Sequence, residues 1–383
     1  MTERVAIVGI GTTGFRPLTS DVSYRELIFE AARKAYNDAG IEPSEIDGFI
    51  TAAEDFLEGY SIADEYCPDQ IGAVLKPTQT VPGDFLHALA TGFMMIKTGA
   101  FRTVAVEAHS KASNMTTISD LMGFALDPVY NRPLRESAHA IAGLEMTRYM
   151  FETCTTPEQC AQIVVKNMGN ALHNPYAAYG ADIESYDVLN SEPISLPIHR
   201  LDIAQHADGA IVAVLADAAT AQNLTDVPIW IEGIGWCTDT PTLEMRDWGD
   251  AAYARLAADM AYRMAGINNP VQEIDFAEIS DEYSYKELQH MEALGFCMPG
   301  EAAHLLETGV TAINGELPIN VSGGALGTGH LFEASGGHKI LELVEQLRGE
   351  AGTRQIPDAS VGLAQTWRGV PTATGAVAIL SNT

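Results

Sequence analysis

The strongest constraint on the fold of this chain is an internal repeat. Residues 35–41, AYNDAGI, recur as residues 261–267, AYRMAGI, which is 226 positions further along (261 − 35). Each copy reads as the end of an amphipathic helix closed by a glycine, and a short apolar run that predicts a buried strand follows it. Another apolar run, ending in glycines, precedes each helix at residues 5–11 and 229–235. The same order of elements twice indicates a tandem duplication of one α/β unit.

Later elements of the two copies also correspond. The patterns predict paired helices at 84–97 and 335–348, paired strands at 103–107 and 360–364, and paired closing strands at 210–215 and 376–380. Strands that alternate with helices predict largely parallel sheets with helices on their faces. We expect two domains, residues 1–225 and 226–383. Residues from about 115 to 198 have no counterpart in the second copy and are predicted to form an inserted loop domain.

Charge and composition exclude several classes of protein. Asp and Glu number 51 against 22 Lys and Arg, a formal charge of −29, which repels nucleic acid and anionic membranes. The excess charge fits either a solvated acidic surface or a face for a basic partner. No apolar run reaches the ~18 residues of a membrane span, and the N-terminus enters a strand pattern directly, without the architecture of a signal peptide. Together with the cysteine usage, these features predict a cytoplasmic protein.

The cysteines predict neither disulfides nor a metal site. Five of them are scattered along the chain without a C-x-x-C pair, at positions 67, 154, 160, 237 and 297. An odd, scattered set argues against a disulfide framework or a zinc ribbon and fits a reducing compartment.

A glycine-rich loop, residues 320–336, carries the main candidate catalytic residue, His330. Glycine serves where a backbone needs positive φ or must approach a ligand closely. A histidine with a pKa near ~6.5 on such a loop is suited to proton transfer at neutral pH. A helix is predicted to begin at Ser335, at the end of this stretch. The alternative is a helix-capping loop with a buried histidine.

This loop, together with the repeat, resembles the thiolase superfamily. The matching positions of the family's active-site loop are Asn320, Gly323, Gly324, Gly329, His330, Ala334, Ser335 and Gly336. Leu331 and Glu333 replace the usual Pro and Gly. The resemblance implies a thiolase fold of two tandem βαβαβ-type halves in five α-β-α-β-α layers, with residues 115–198 covering the substrate. It also implies a homodimer, whose buried edge strand would be residues 103–107 or a neighbour.

The chain departs from the family pattern at the catalytic nucleophile. Thiolases carry a cysteine at the N-terminus of the buried helix in the first half, where the helix dipole favours a thiolate. Here the matching residues 82–84 are Pro, Gly and Asp. A second family cysteine would fall within residues 365–369 and is absent, and the family's Asn or His of the second half maps onto Ser280. Of four catalytic landmarks only His330 remains, so a cysteine-bound acyl intermediate is not expected.

The implied function is therefore an acyl-CoA enzyme that makes or breaks a C–C bond next to the thioester without a cysteine. It would be thiolase- or acyltransferase-like, or an aldolase acting on CoA thioesters, with His330 as acid or base. Glu282 and Tyr283, with Ser280 beside them, are further candidates on the adjacent loop. Asp84 is either a helix N-cap, with His87 as its hydrogen-bond partner, or a catalytic group.

Coenzyme A is expected as substrate or product, with no covalently bound cofactor. The residues expected to contact it are Ser322, Gly323, Gly324, Gly329 and Gly369. Candidate partners for its phosphates are Lys97, Lys111, Arg200 and Arg368.

Other functions stay open. The chain could be a non-catalytic thiolase-like subunit that binds acyl-CoA, or a lipid or sterol carrier. The chain also resembles some thiolase-like proteins that have lost their cysteines and act as aldolases paired with a small zinc-ribbon and OB-fold protein, and this resemblance implies such a partner. Residues 9–14 fit the dinucleotide pattern G-x-G-x-x-G, but Pro17 interrupts the helix that this pattern must open. A nicotinamide cofactor is therefore not expected.

Overall fold

A computed structural model of the protein describes residues 4–54, 62–115 and 118–383. The strands are β1 (Val5–Thr12), β2 (Gly48–Ala52), β3 (Thr78–Val81), β4 (Thr103–Lys111), β5 (Pro193–Ser195), β6 (Ile198–His199), β7 (Asp208–Asp217), β8 (Ile229–Thr238), β9 (Phe276–Glu278), β10 (Val361–Trp367) and β11 (Thr374–Ser381).

The α-helices include the paired helices that the repeat predicts. They are α1 (Tyr24–Ala39), α2 (Ala63–Tyr66), α3 (Pro68–Ile71), α4 (Phe85–Lys97), α5 (Ile118–Gly123), α6 (Ala138–Thr153), α7 (Pro157–Ala171), α8 (Ser185–Leu189), α9 (Ala218–Leu224), α10 (Ala252–Ala265), α11 (Pro270–Glu273), α12 (Ser284–Ala293), α13 (Ala302–Glu307), α14 (Gly324–Thr328) and α15 (Ser335–Arg348). No helix within the described ranges is both long and apolar enough to cross a lipid bilayer.

Nine strands form one mixed sheet in the order β3-β2-β4-β7-β1-β8-β11-β10-β9. The two copies of the repeat meet where β1 pairs with β8. The prediction of largely parallel sheets is wrong, because the closing strands β7 and β11 run antiparallel to both of their neighbours. Parallel pairing is confined to β2 with β3 and β4, and to β9 with β10.

Helices cover both faces of the strands, and two of them lie in the centre. Helix α1 packs with the outward side chains of β1 and β7. On the opposite face α4 and α15 share one core with residues of β1, β7, β8 and β11. Helix α10 packs on β8 and β11 from the far side. The predicted α-β-α-β-α order is confirmed, with α4 and α15 as the buried central layer.

Glycines explain why the repeat survives in the sequence. A Cβ on Gly9 would lie 2.5 Å from the carbonyl oxygen of Ala35, and a Cβ on Gly233 would lie 2.2 Å from that of Ala261. Each helix of the repeat therefore rests directly on the backbone of its preceding strand. Helices α1 and α10 both end at a left-handed glycine, Gly40 with φ 64° and Gly266 with φ 76°, as predicted.

The glycines that imitate a dinucleotide fingerprint do not open a helix. Strand β1 ends at Thr12, and α1 begins at Tyr24 with Ser23 as its N-cap. Gly11 lies against the backbone of Ala35, so its role is close helix packing.

The structure corrects the edge strand expected for a dimer. Residues 103–107 belong to β4, which pairs with β2 on one side and with β7 on the other. Its backbone hydrogen bonds are therefore used within the chain. The outermost strands of the described sheet are β3 and β9. The predicted domain boundary at residue 225 falls between α9 and β8 and stays a prediction.

We predict that Gly233→Ala destabilises the protein by about 1–3 kcal/mol, because the added methyl group overlaps backbone of α10 that cannot move independently. The measurement is urea unfolding followed by circular dichroism. The matched control is Gly169→Ala within α7, where an added Cβ meets nothing within 4 Å. That change should stabilise by roughly 0.5–1 kcal/mol through helix propensity. Equal effects of the two substitutions would contradict the packing argument.

Candidate active site

Two cavities meet at His330. The larger has a volume of about 560 Å³, and its lining combines apolar side chains, such as Leu121 and Phe124, with charged groups that include Asp84 and Arg368. The smaller, of about 320 Å³, is lined by His139, His206, Glu282 and Tyr283 among others. The lining residues common to both are Met122, His330, Gly369 and Val370. The structure thus brings five of the predicted site residues, Asp84, Glu282, Tyr283, His330 and Gly369, around one continuous region.

His330 is held in place by its own backbone. Gly329 has a φ of 107°, which turns the chain, and the N–H of His330 donates to the carbonyl oxygen of Gln205 at 2.8 Å. A Cβ on Gly329 would overlap the Cβ of Ala207 at 2.5 Å, so only glycine fits this turn. Gly329 lines neither cavity, and its turn positions the histidine; its expected contact with CoA stays a prediction.

The imidazole of His330 is neutral at physiological pH. Burial lowers its pKa well below the ordinary value, and His206 and Lys339 lower it further. The ring of His206 lies 5.3 Å from that of His330, and Phe332 lies 4.8 Å from both. The expectation of a pKa near neutrality is therefore wrong, because the sequence did not reveal how deeply the ring is buried. A neutral ring donates one hydrogen bond and accepts another.

Asp84 joins the N-termini of the two central helices. One carboxylate oxygen accepts the N–H of Leu86 at 2.9 Å, in the first turn of α4, which confirms the predicted N-cap. The other accepts the N–H of Gly336 at 2.7 Å, in the first turn of α15. Burial raises the pKa of Asp84 to about 6, although both N–H groups and Lys339 oppose the rise. The position expected for a thiol thus holds a carboxyl group that titrates near neutrality.

Tyr283 and His139 form a hydrogen-bonded pair in the smaller cavity. Tyr283 Oη lies 2.9 Å from His139 Nδ1. Burial raises the pKa of Tyr283 strongly, with Glu145 and Glu282 adding to the rise, so the phenol stays protonated. Burial also lowers the pKa of His139. The pair can therefore present a phenolic hydrogen to a ligand when His139 donates to the phenol oxygen.

Glu282 lies beside this pair as a deeply buried acid. One oxygen accepts the hydroxyl of Ser280 at 3.2 Å, and the other has no hydrogen-bond partner in the described structure. Burial raises the pKa of Glu282. Ser280 itself lies behind the cavities, where its hydroxyl accepts the N–H of Trp367 at 2.9 Å. Ser280 therefore supports Glu282 and lines neither cavity.

The structure does not support the predicted backbone contacts to CoA at residues 322–324. The N–H and hydroxyl of Ser322 both donate to the buried carboxylate of Glu278, at 3.0 and 2.5 Å. The N–H of Gly323 donates to the carbonyl of Asn320, and the N–H of Gly324 lies 3.3 Å from the hydroxyl of Ser322. These donors are used within the protein because the glycine loop folds onto a buried carboxylate.

The candidate phosphate partners divide into two pairs. Lys111 is buried in an ion pair with Asp208 at 2.8 Å, and Lys97 lies at the far end of α4 from Asp84. Neither position faces the cavities. Arg368 lines the larger cavity, where it forms an ion pair with Glu54. Arg200 is close enough to lower the pKa of His139.

All five cysteines fall within the described ranges, and none lines either cavity. Sequence reasoning missed His139 and His206, which do line the smaller one. Both are single histidines without spacing to another candidate. The signal that could have found His206 is its place directly before the apolar strand β7, in the order Gln205-His-Ala-Asp208.

Comparison with known proteins identifies the family. The model of the family "Thiolase C-terminal domain-like" matches residues 235–382. An acetyl-CoA acetyltransferase of Methanothermobacter thermautotrophicus is 31% identical over 367 residues, covering 94% of each chain. A 17-hydroxy-3-oxo-4-pregnene-20-carboxyl-CoA lyase of Mycobacterium tuberculosis is 30% identical, covering 97% of this chain and 98% of the lyase.

A solved structure agrees with these relatives. The structure of an Ltp2-ChsH2(DUF35) aldolase superposes with a TM-score of 0.85 at 26% identity, over 99% of this chain and 98% of the other. A sterol carrier protein 2 of Bos taurus is 30% identical over 390 residues, covering 94% of this chain and 69% of that protein. The chain belongs to the thiolase superfamily, and among its members it is of the sterol-carrier-protein-2 type.

We predict that acid destabilises the protein through His206. Burial lowers its pKa from the ordinary value to about 4. Its contribution to stability is therefore complete above the unfolded pKa of about 6.5 and is lost as the pH falls towards 4, by roughly 3 kcal/mol. Urea unfolding at pH 7 and pH 4 measures the loss. In His206→Gln the decrease in the free energy of unfolding from pH 7 to pH 4 should be smaller by roughly 3 kcal/mol than in the wild type. In the exposed control His304→Gln the decrease should equal that of the wild type.

Proposed function

We propose that this protein is an acyl-CoA enzyme that breaks or forms a C–C bond beside the thioester by aldol chemistry, without a covalent intermediate. The proposal rests on the position and the pKa of Asp84. A carboxyl group with a pKa of about 6, and not a thiol, stands where α4 and α15 begin and faces the same cavity as His330. A carboxylate at this position can take and return a proton, whereas a thiol would form an acyl-enzyme.

In the cleavage direction the substrate is a β-hydroxyacyl thioester. Asp84 removes the proton of the β-hydroxyl group, the Cα–Cβ bond breaks, and the β-carbon becomes a ketone or aldehyde. The bonding electron pair moves to Cα and is delocalised onto the thioester oxygen as an enolate. Protonated Asp84 then delivers the same proton to Cα, which releases the shortened acyl-CoA. No oxidant, reductant or external base is needed.

Neutral donors stabilise the enolate in this scheme. His330 donates an N–H from the boundary between the two cavities, and Tyr283 donates its phenolic hydrogen from the smaller cavity. Donors fixed by the fold before charge develops are the most effective way to stabilise a transition state. Because burial keeps His330, His206 and His139 neutral, none of these three rings is an imidazolium that would protonate Asp84.

The relatives support the class of reaction and frame the second candidate. The mycobacterial relative is named a CoA lyase and the structural relative an aldolase. The archaeal relative is named an acetyl-CoA acetyltransferase, and its 31% identity favours thiolysis by free CoA as the second candidate. Thiolysis requires a β-keto substrate, so the two reactions are separated by the substrate that is consumed.

We also infer a partner protein, because the structural relative is named an Ltp2-ChsH2(DUF35) aldolase and so carries a second component. The expected zinc-ribbon and OB-fold character of that partner stays a proposal. A homodimer and a cytoplasmic location stay proposals. Binding of acyl-CoA without turnover, both with and without such a partner, would favour the non-catalytic subunit. A wide apolar pocket that binds lipid but not CoA would favour a carrier.

We predict that His330→Ala lowers kcat for cleavage of a β-hydroxyacyl-CoA by about 10²–10³-fold, because the enolate loses a fixed donor. A variant with all five cysteines changed to serine or alanine should keep its turnover, since no described cysteine lines the cavities. Release of the carbonyl product is measured with the partner protein present. The matched control is His290→Gln, a buried neutral histidine bonded to Tyr253 outside both cavities. Loss of turnover in the cysteine-free variant would overturn the non-covalent mechanism.

The acidic limb of the pH profile should report Asp84. As the base in the free enzyme it must be ionised, so kcat/KM should fall as the pH drops below about 6. Asp84→Asn should abolish most of the turnover together with this limb. The control is Asp202→Asn, a second buried aspartate with a raised pKa that accepts a backbone N–H but lines neither cavity. If the limb survived in Asp84→Asn or vanished in the control, Asp84 would not be the base.

A further inference from the structure

We propose that Cys67, Glu107 and His109 bind one zinc ion, at a site separate from the cavities. One donor atom from each residue lies within 4.8 Å of the other two. Within residues 4–54, 62–115 and 118–383, these three residues are the group of His, Cys, Asp and Glu side chains whose donor atoms lie close enough together to hold one ion. The proposal does not depend on the proposed function.

The site lies on the opposite face of the sheet from the active site. Side chains alternate along a strand, so Glu107 and His109 of β4 point to the same side as Ala105. Ala105 belongs to the core beneath α1, whereas Val106 and Ala108 face the central helices. Cys67, at the junction of α2 and α3, belongs to the α1 core as well. The fold therefore brings a thiol from a helical turn onto two neighbouring donors of a strand.

The three side chains are buried, with exposures of 0%, 0% and 3% for Cys67, Glu107 and His109. His109 Nδ1 lies 2.8 Å from one oxygen of Glu107, and the ring of Tyr24 stacks on the imidazole at 5.6 Å. The second oxygen of Glu107 has no hydrogen-bond partner in the described structure. An unsatisfied oxygen on a fully buried carboxylate destabilises the folded state, because the oxygen has lost its hydrogen bonds to water. A cation between the three side chains would remove this destabilisation.

The donor set favours zinc. A thiolate, an imidazole and a carboxylate are the ligands that zinc takes in proteins, at about 2.0–2.3 Å. Around a tetrahedral ion such atoms lie about 3.3–3.6 Å apart, which the cluster reaches with small side-chain movements. Calcium and magnesium prefer oxygen ligands, and a thiolate argues against both. The ion's two positive charges equal the summed charge of the thiolate and the carboxylate, so the filled site is neutral and suited to burial.

A zinc ion here would be structural. It would tie the turn between α2 and α3 to β4, the strand that pairs with both β2 and β7. The sequence predicts no metal site because Cys67 lies 40 positions before Glu107 (107 − 67) and makes no recognisable spacing with it. Only the packing of the turn onto the strand brings the donors together.

The test uses the full chain, freed of metal by dialysis against a chelator and then titrated with zinc chloride or cobalt chloride. We expect one zinc per chain by elemental analysis, a rise in the unfolding temperature on adding zinc, and a thiolate-to-cobalt charge-transfer band. Cys67→Ser should lose the band and weaken zinc binding by about a hundredfold or more. The matched control is Cys160→Ser, a cysteine equally buried in a different core, which should keep both.

Glu107→Gln and His109→Gln extend the test if Cys67→Ser does not fold. Each should weaken zinc binding while circular dichroism shows a folded chain. The wild-type cobalt spectrum decides the matter without any substitution, because it shows whether a thiolate binds the ion. A wild-type chain that retains no zinc, a cobalt spectrum without the thiolate band, or equal losses in Cys67→Ser and Cys160→Ser would each overturn the proposal. A thiol that reacts with an alkylating reagent at the same rate with and without zinc would do so as well.

Discussion

The site depends on the meeting of two helix N-termini at one carboxyl group. Helices α4 and α15 come from different copies of the repeat, yet each donates a backbone N–H from its first turn to Asp84. Two positive helix ends favour the ionised carboxylate, and burial opposes it more strongly, so the pKa settles at about 6. The duplicated fold thus creates, where the two copies meet, a position at which the helix ends partly offset the free-energy cost of burying a negative charge. In this chain that place is occupied by an acid that can exchange protons near neutrality.

The surroundings of Asp84 follow the same balance between burial and charge. Burial lowers the pKa of His330 and of His206, and burial raises the pKa of Tyr283, so all three are neutral hydrogen-bonding groups at pH 7. A protein with a formal charge of −29 therefore places these uncharged groups beside two buried acids with raised pKa values, Asp84 at the larger cavity and Glu282 at the smaller. This arrangement suits chemistry in which a negative charge develops on a substrate oxygen, because neutral donors stabilise that charge by hydrogen bonds without transferring a proton to it. Arg368, with its ion pair to Glu54, supplies the cation at the larger cavity.

Much of the fold was predictable because its signals are local. Helix ends at Gly40 and Gly266 need only the left-handed conformation that glycine allows, and the helices at 85–97 and 335–348 follow from continuous apolar patterns. The direction of the strands was not predictable, because β7 and β11 return antiparallel through connections whose path the residue pattern does not encode. For the same reason residues 103–107 became an inner strand, flanked by β2 and β7, and not an edge. Hydrogen-bond pairing between strands distant in sequence decides both points.

By itself the sequence determined the duplicated scaffold, the histidine at the end of the glycine loop, and the lack of a cysteine at residues 82–84, where the family resemblance places the nucleophile. These conclusions rest on the identity of residues and on their spacing within each copy of the repeat, both of which are visible in the sequence. The tertiary structure alone decided that His139 and His206 join the site, that residues 322–324 are bonded to buried groups of the protein, and that Cys67 lies beside Glu107 and His109. It also decided the protonation of His330, because a pKa depends on how much water and charge surround a ring. The burial of a side chain and its contacts with residues distant in sequence are set only when the chain folds, so a local residue pattern does not predict them.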